Sequence, residues 1–119
     1  MRLTATLTVF ASDLVRSRAF YVDVLGLTVL EESDERFTAR RGDLVVTVEG
    51  GALERRKGRR WMQEAGLYLT ITTDAFDVLH ADLVKRGATF LGEVAQDARG
   101  KRFGGLHDPD GVLIELAEA

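Results

Sequence analysis

Alternation opens the chain. Leu3, Ala5, Leu7 and Val9 are apolar, and Thr4, Thr6 and Thr8 separate them. A period of two over seven residues, rich in Thr and Val, predicts a half-buried strand across Leu3–Phe10. The period then changes. After Ser12-Asp13, apolar residues fall at Leu14, Val15, Ala19, Phe20, Val22, Val24 and Leu25, and Gly26 follows. That spacing predicts a helix capped by Ser12 or Asp13 and stopped by Gly26.

The same passage returns sixty-one residues later as TDAFDVLHADLVKRG, with Asp74 near its start and Gly87 at its stop. Thr28–Leu30 matches Thr89–Leu91, which predicts a strand after each helix. Further on the offset widens to sixty-six: Arg36-Phe37 matches Arg102-Phe103, the RRGD turn matches Leu106–Pro109, and LVVTVE matches DGVLIE. Glu49 thereby falls on Glu115. The added residues sit around Gln96–Lys101, and Asp108–Gly111 supplies strong turn chemistry for the last hairpin. Internal repetition of this kind defines the architecture. Each unit reads strand–helix–strand–strand–strand, so the prediction is one α+β domain over residues 1–119. Module 1 spans about 1–50, a linker about 50–65, and module 2 about 66–119.

Composition narrows the partners. The 119 residues carry a net charge of −3, so no basic excess exists to displace counterions from nucleic acid. Cysteine is absent, which excludes disulfides, thiolate nucleophiles and Cys-based metal sites. No apolar stretch approaches the length of a membrane span, and no secretory leader is visible. The expectation is a cytoplasmic protein that meets neither nucleic acid nor membrane.

The order of the elements and their punctuation resemble the vicinal oxygen chelate superfamily, which includes glyoxalase I, bleomycin-resistance proteins and extradiol dioxygenases. Asp13-Leu14 with AFYVDVLGL (Ala19–Leu27), GLYLTITTD (Gly66–Asp74), LHADLVKRGA (Leu79–Ala88) and DPDGVLIEL (Asp108–Leu116) carry the resemblance over nearly the full length. It implies two βαβββ modules whose strands curl into an open, barrel-like mixed sheet with helices outside. Thr6, Thr8 and Phe10 would then face a trough, as would Thr47, Glu49, Tyr68, Thr70, Leu113 and Glu115. A homodimer is also implied, its modules paired within one chain or exchanged between chains.

Metal-dependent members of such a family place histidine or glutamate at four positions, which here read Thr6, Glu49, Tyr68 and Glu115. Two carboxylates stand, and hydroxyls replace both imidazoles. Hydroxyls are poor ligands for Zn, Ni or Fe, and a tyrosine proton leaves only near pH 10. No cofactor is expected beyond weakly held Mg²⁺ or Mn²⁺ on Glu49 and Glu115. Nothing resembles a two-histidine, one-carboxylate iron site, which disfavours dioxygenase chemistry.

Between the modules, Arg55, Arg56, Lys57, Arg59 and Arg60 precede Trp61, which would cover the trough mouth or simply pack. His80 reads as an exposed or edge residue of the second helix, and His107 as a hairpin residue near solvent. Two functions compete. One is metal-independent binding of a small aromatic or basic ligand, similar to the bleomycin-resistance members. The other is a glyoxalase-like lyase or isomerase working through Glu49 and Glu115. A third, non-ligand reading fills the trough with the protein's own side chains.

Overall fold

In the computed structural model of the chain, residues 1, 4–50 and 67–119 are described. Among these residues, eight strands and two α-helices follow the predicted order. Module 1 comprises β1 (Leu7–Phe10), α1 (Leu14–Arg18), β2 (Thr28–Glu32), β3 (Arg36–Arg41) and β4 (Leu44–Glu49). Module 2 comprises β5 (Leu69–Thr73), α2 (Phe76–Lys85), β6 (Ala95–Gln96), β7 (Arg102–His107) and β8 (Leu113–Glu118). Each module forms its own four-stranded mixed sheet, ordered β1-β4-β3-β2 and β5-β8-β7-β6. Within each, the first and last strands run parallel and the rest antiparallel.

The alternation explains the burial. Val9, Val46, Val48, Phe37 and Ala39 point to one face of the first sheet and are closed off from water; Ile114, Leu116 and Leu106 do the same in the second. With Tyr21, Leu25, Leu27, Phe76 and Leu83 from the helical segments they make one apolar cluster spanning both modules. Thr8, Thr70 and Thr72, one residue out of phase, are exposed on the opposite faces.

Asp13 caps α1 by accepting from the Arg16 amide at 3.2 Å. Beyond Arg18 the helix widens into a π-helical segment over Ala19–Val24, with the Leu25 amide reaching back five residues to Phe20. Gly26 ends it at φ +76°, where a Cβ would also stand 2.8 Å from the Arg41 guanidinium. Gly26→Ala is therefore expected to cost about 1–2 kcal/mol from backbone handedness alone, read as a lowered denaturation midpoint.

Three local expectations change. β1 begins at Leu7, so Thr4–Thr6 precede the strand, and residues 2 and 3 lie outside the described residues. Thr89–Leu91 is irregular rather than a strand; only Leu91 donates to Gly105, and Ala95–Gln96 pairs with β7 instead. His80 is half-buried, stacked between Phe76 and Phe90 at centroid distances of 5.9 and 4.4 Å. Among the described residues, no helix is long and apolar enough to cross a membrane.

The modules dock through their helices and hairpin turns. The buried Tyr21 hydroxyl donates to Asp108 Oδ2 at 2.8 Å. On the other side Arg41 donates to Asp82 Oδ2 at 2.9 Å and to the Leu25 carbonyl at 2.9 Å. Tyr21 and Asp82 occupy equivalent helix positions in the two repeats, while Asp108 and Arg41 belong to equivalent hairpin turns. The interface thus obeys the same pseudo-twofold relation as the sequence.

Candidate functional site

The strand registers build two concave faces, one on each sheet. On the first, Thr8 lies beside Thr47 and Thr47 beside Thr38, whose hydroxyls share a hydrogen bond of 2.8 Å. Phe10, Glu49 and Arg36 form the next row, with Arg36 Nη1 3.8 Å from Glu49 Oε1. Thr47 is only 6% exposed, because its neighbours on both sides close over it. Thr6 is exposed just ahead of β1.

On the second sheet Glu115 lies between Thr70 and Gly105, and Leu113 lies opposite His107. The Glu115 carboxylate has no hydrogen bond or ion pair among the described residues. Gly105 leaves the carboxylate without a side chain on that flank. Tyr68 precedes β5 and is 57% exposed.

The predicted residues are therefore grouped as two sets. Thr8, Phe10, Thr47 and Glu49 share one face, and Thr70, Leu113 and Glu115 share the other. No strand pairing among the described residues joins the two sheets. Among the described residues no three His, Asp or Glu side chains gather to hold a metal ion. Trp61 and the Arg55–Arg60 run lie outside the described residues.

Sequence reading missed four side chains on these faces: Thr38 and Arg36 on the first, His107 on the second, and Glu31. The first three follow from alternation along β3 and β7 once the registers are known. Glu31 does not, because a register irregularity between Val29 and Glu31 places it opposite Thr38.

A cleft of about 610 Å³ runs along β5 from Thr70 to Thr73. Leu27, Leu44, Leu79 and Leu83 give it apolar walls, and Arg41 and Asp43 stand at its polar end. β5 and β1 are both edge strands, each hydrogen-bonded on one side only to a strand of its own sheet.

Electrostatics are strongest where the modules meet. Burial pushes the Asp108 carboxyl above the ordinary aspartate range, despite hydrogen bonds from Val112, Tyr21 and Asp110 that favour its anion. The Tyr21 hydroxyl is pushed well up, first by burial and then by the Asp108 charge. At the surface the balance reverses: hydrogen bonds from Arg18 and Arg102 lower Glu32 and Glu118, respectively.

Solved structures with this arrangement exist. A glyoxalase/bleomycin resistance protein/dioxygenase from Alicyclobacillus acidocaldarius superposes with a TM-score of 0.78 at 22% identity, covering 98% of this chain and 91% of that one. A protein of unknown function from Agrobacterium tumefaciens is 28% identical, with a TM-score of 0.72 and coverage of 100% and 94%. A bleomycin-binding protein complexed with bleomycin gives 0.74 at 19% identity, covering 99% of each chain. Among curated protein sequences none matches this chain closely enough to count as a relative. The model of the glyoxalase/bleomycin resistance protein/dioxygenase superfamily matches residues 4–116, and with both βαβββ modules in place the chain belongs to that superfamily.

Proposed function

We propose that this chain is a small-molecule-binding protein of the superfamily, acting in the cytoplasm without a tightly held catalytic metal. Its ligand carries aromatic surface and basic or hydroxyl groups. One observation supports this above the others: the four positions that would chelate read Thr6, Glu49, Tyr68 and Glu115, two hydroxyls and two carboxylates. Carboxylates and hydroxyls spread over concave sheets suit a few placed hydrogen bonds beside apolar contact. The bleomycin complex of a protein with this fold is in keeping with such a use.

The proposed assembly is a homodimer. Of the four edge strands among the described residues, β1 and β5 are each paired in parallel on one side and offer backbone donors and acceptors to a further strand on the other. A second copy satisfies both at once if its β1 lies along β5 and its β5 along β1, in a closed twofold contact. The Thr8–Thr47–Glu49 face of one protomer would then continue into the Thr70–Glu115 face of its partner, giving one trough per pair of modules.

Metal retention tests the chemistry. After equilibration with nickel, zinc, iron and manganese followed by desalting, elemental analysis is expected to find only substoichiometric metal. Stoichiometric retention would point instead to a metal-dependent lyase or isomerase working through Glu49 and Glu115. A thermal-shift screen of basic aromatic compounds, metal-free bleomycin included, is expected to return ligands that raise Tm.

A further inference from the structure

β2 is interrupted. Thr28 and Val29 pair in register with Arg40 and Ala39, but the next pair is Glu31 with Thr38, so Leu30 is an extra residue in the strand. Without that bulge, Leu30 would stand opposite Thr38 and Glu31 would turn to the helix face, since a shift of one residue reverses every side chain. With it, Glu31 joins a row that crosses all four strands: Glu31, Thr38, Thr47 and Thr8. Leu30, 57% exposed, stays at the lip beside it. Bulges concentrate next to binding sites because they re-aim a side chain.

The acidic residues around this face differ in their commitments. Glu32 is held by Arg18 at 2.9 Å, and Glu49 faces Arg36. Arg40, the other arginine flanking Thr38 on β3, donates to the Gly42 carbonyl at 2.8 Å. The Glu31 carboxylate has no hydrogen bond or ion pair among the described residues. Its two diagonal neighbours across the strand are thus the arginines already engaged elsewhere. The Thr38 hydroxyl is fixed by its bond to Thr47, so the floor beside Glu31 is ordered while the carboxylate itself is open.

Resting on the small-molecule reading above, we infer that Glu31 determines specificity by receiving the cationic group of the ligand. The ligand is then an amine or guanidine joined to an apolar or aromatic body. The cation sits at the Glu31 end of the threonine row, and the apolar body rests on the exposed Leu30 beside it. Glu49, already facing a guanidinium, contributes less to this choice.

A matched pair of probes tests the inference: naphthylmethylamine and its uncharged counterpart naphthylmethanol, titrated and followed by NMR shift changes. The native protein is expected to bind the amine about tenfold more tightly than the alcohol, as one charge-assisted hydrogen bond permits. Glu31→Gln should erase that preference while leaving the alcohol unaffected, and Glu32→Gln, on the opposite face, should keep it. An undiminished preference in Glu31→Gln overturns this inference alone, as does a preference lost in Glu49→Gln or Glu115→Gln instead. A native protein that binds neither probe overturns the small-molecule reading as well.

Discussion

Replacing Asp108 with alanine is expected to destabilise the fold by about 3–5 kcal/mol, measured by chemical denaturation. The carboxylate accepts from the Tyr21 hydroxyl at 2.8 Å and from the Asp110 and Val112 amides at 2.9 Å each. It is 5% exposed, and Tyr21 is fully buried, so water cannot replace it for the hydroxyl. Alanine would strand that donor at the module interface and unpin the Asp108–Gly111 turn. For a domain whose whole stability is about 5–15 kcal/mol, such a loss leaves a partly unfolded population. Tyr21→Phe removes one of the three bonds and should cost about 1–3 kcal/mol.

The pseudo-equivalent contact supplies the control. Asp82 pairs with Arg41 and Arg86 at 2.9 and 3.0 Å, but these side chains are a third or more open to water. Exposed pairs contribute little, because solvent and side-chain entropy offset the attraction. Asp82→Ala is expected to change the midpoint barely at all. Equal losses at positions 82 and 108 would mean that symmetry of placement, not burial, governs how the modules hold together.

The two aspartates also respond oppositely to pH. Asp108 is raised in the folded state, so its neutral form is the one the fold prefers. Its contribution is complete below the ordinary aspartate pKa of about 4 and is lost as pH rises through the raised value. Asp108→Asn, which cannot titrate, should therefore gain on the native protein as pH rises above the ordinary aspartate range. Asp82 is lowered by its hydrogen bond to Arg41, and Glu118 by that to Arg102. Their contributions are present above the ordinary carboxylate range and disappear as pH falls through the lowered values. The native protein should weaken toward strong acid for that reason, and Asp82→Ala should weaken slightly less.

The repeat was legible because it is written in local signals. Alternation marked β4 and β8, Gly26 and Gly87 marked the helix ends, and Asp108–Gly111 marked the last turn. The strand expected at Thr89–Leu91 failed because its propensity was judged by analogy with Thr28–Leu30. The second module instead has β6 pair with β7 after the loop at Leu91–Val94. The site was harder. Alternation tells which residues share a face but neither the register nor how sheets meet. Glu49 lies opposite Phe10 and Arg36, whereas Glu115 lies opposite Thr70 and Gly105 on the other sheet. The repeat alignment that matched the two glutamates therefore does not hold strand by strand. Nothing in FYVDVLG signals that Tyr21 has a partner eighty-seven positions away. Glu31 was invisible for a related reason: a bulge changes the phase of a strand without leaving a distinctive residue behind. Only the pairing register reveals it.

Thr70→Pro is expected to convert the proposed dimer to monomers, weakening association about tenfold or more as read by light scattering over a dilution series. The Ala119 amide donates to the Thr73 carbonyl, so Thr73 directs its backbone groups toward β8. Alternation then turns those of Thr72 and Thr70 to the open edge. Proline at position 70 removes an outward donor and leaves the β5–β8 ladder whole, the one situation in which a strand accepts it. Thr70→Val keeps the donor and should leave the dimer intact, which separates the backbone from the side chain. In the proposed assembly ligand affinity should follow dimerisation, because Glu49 and Glu115 would reach a common trough across two copies. Diluting the native protein below its dimer dissociation constant should therefore weaken binding as Thr70→Pro does. A native chain that stays monomeric at tens of micromolar, or a Thr70→Pro variant that binds ligand unchanged, would show that one protomer's concave face is sufficient and that the second copy adds nothing to the site.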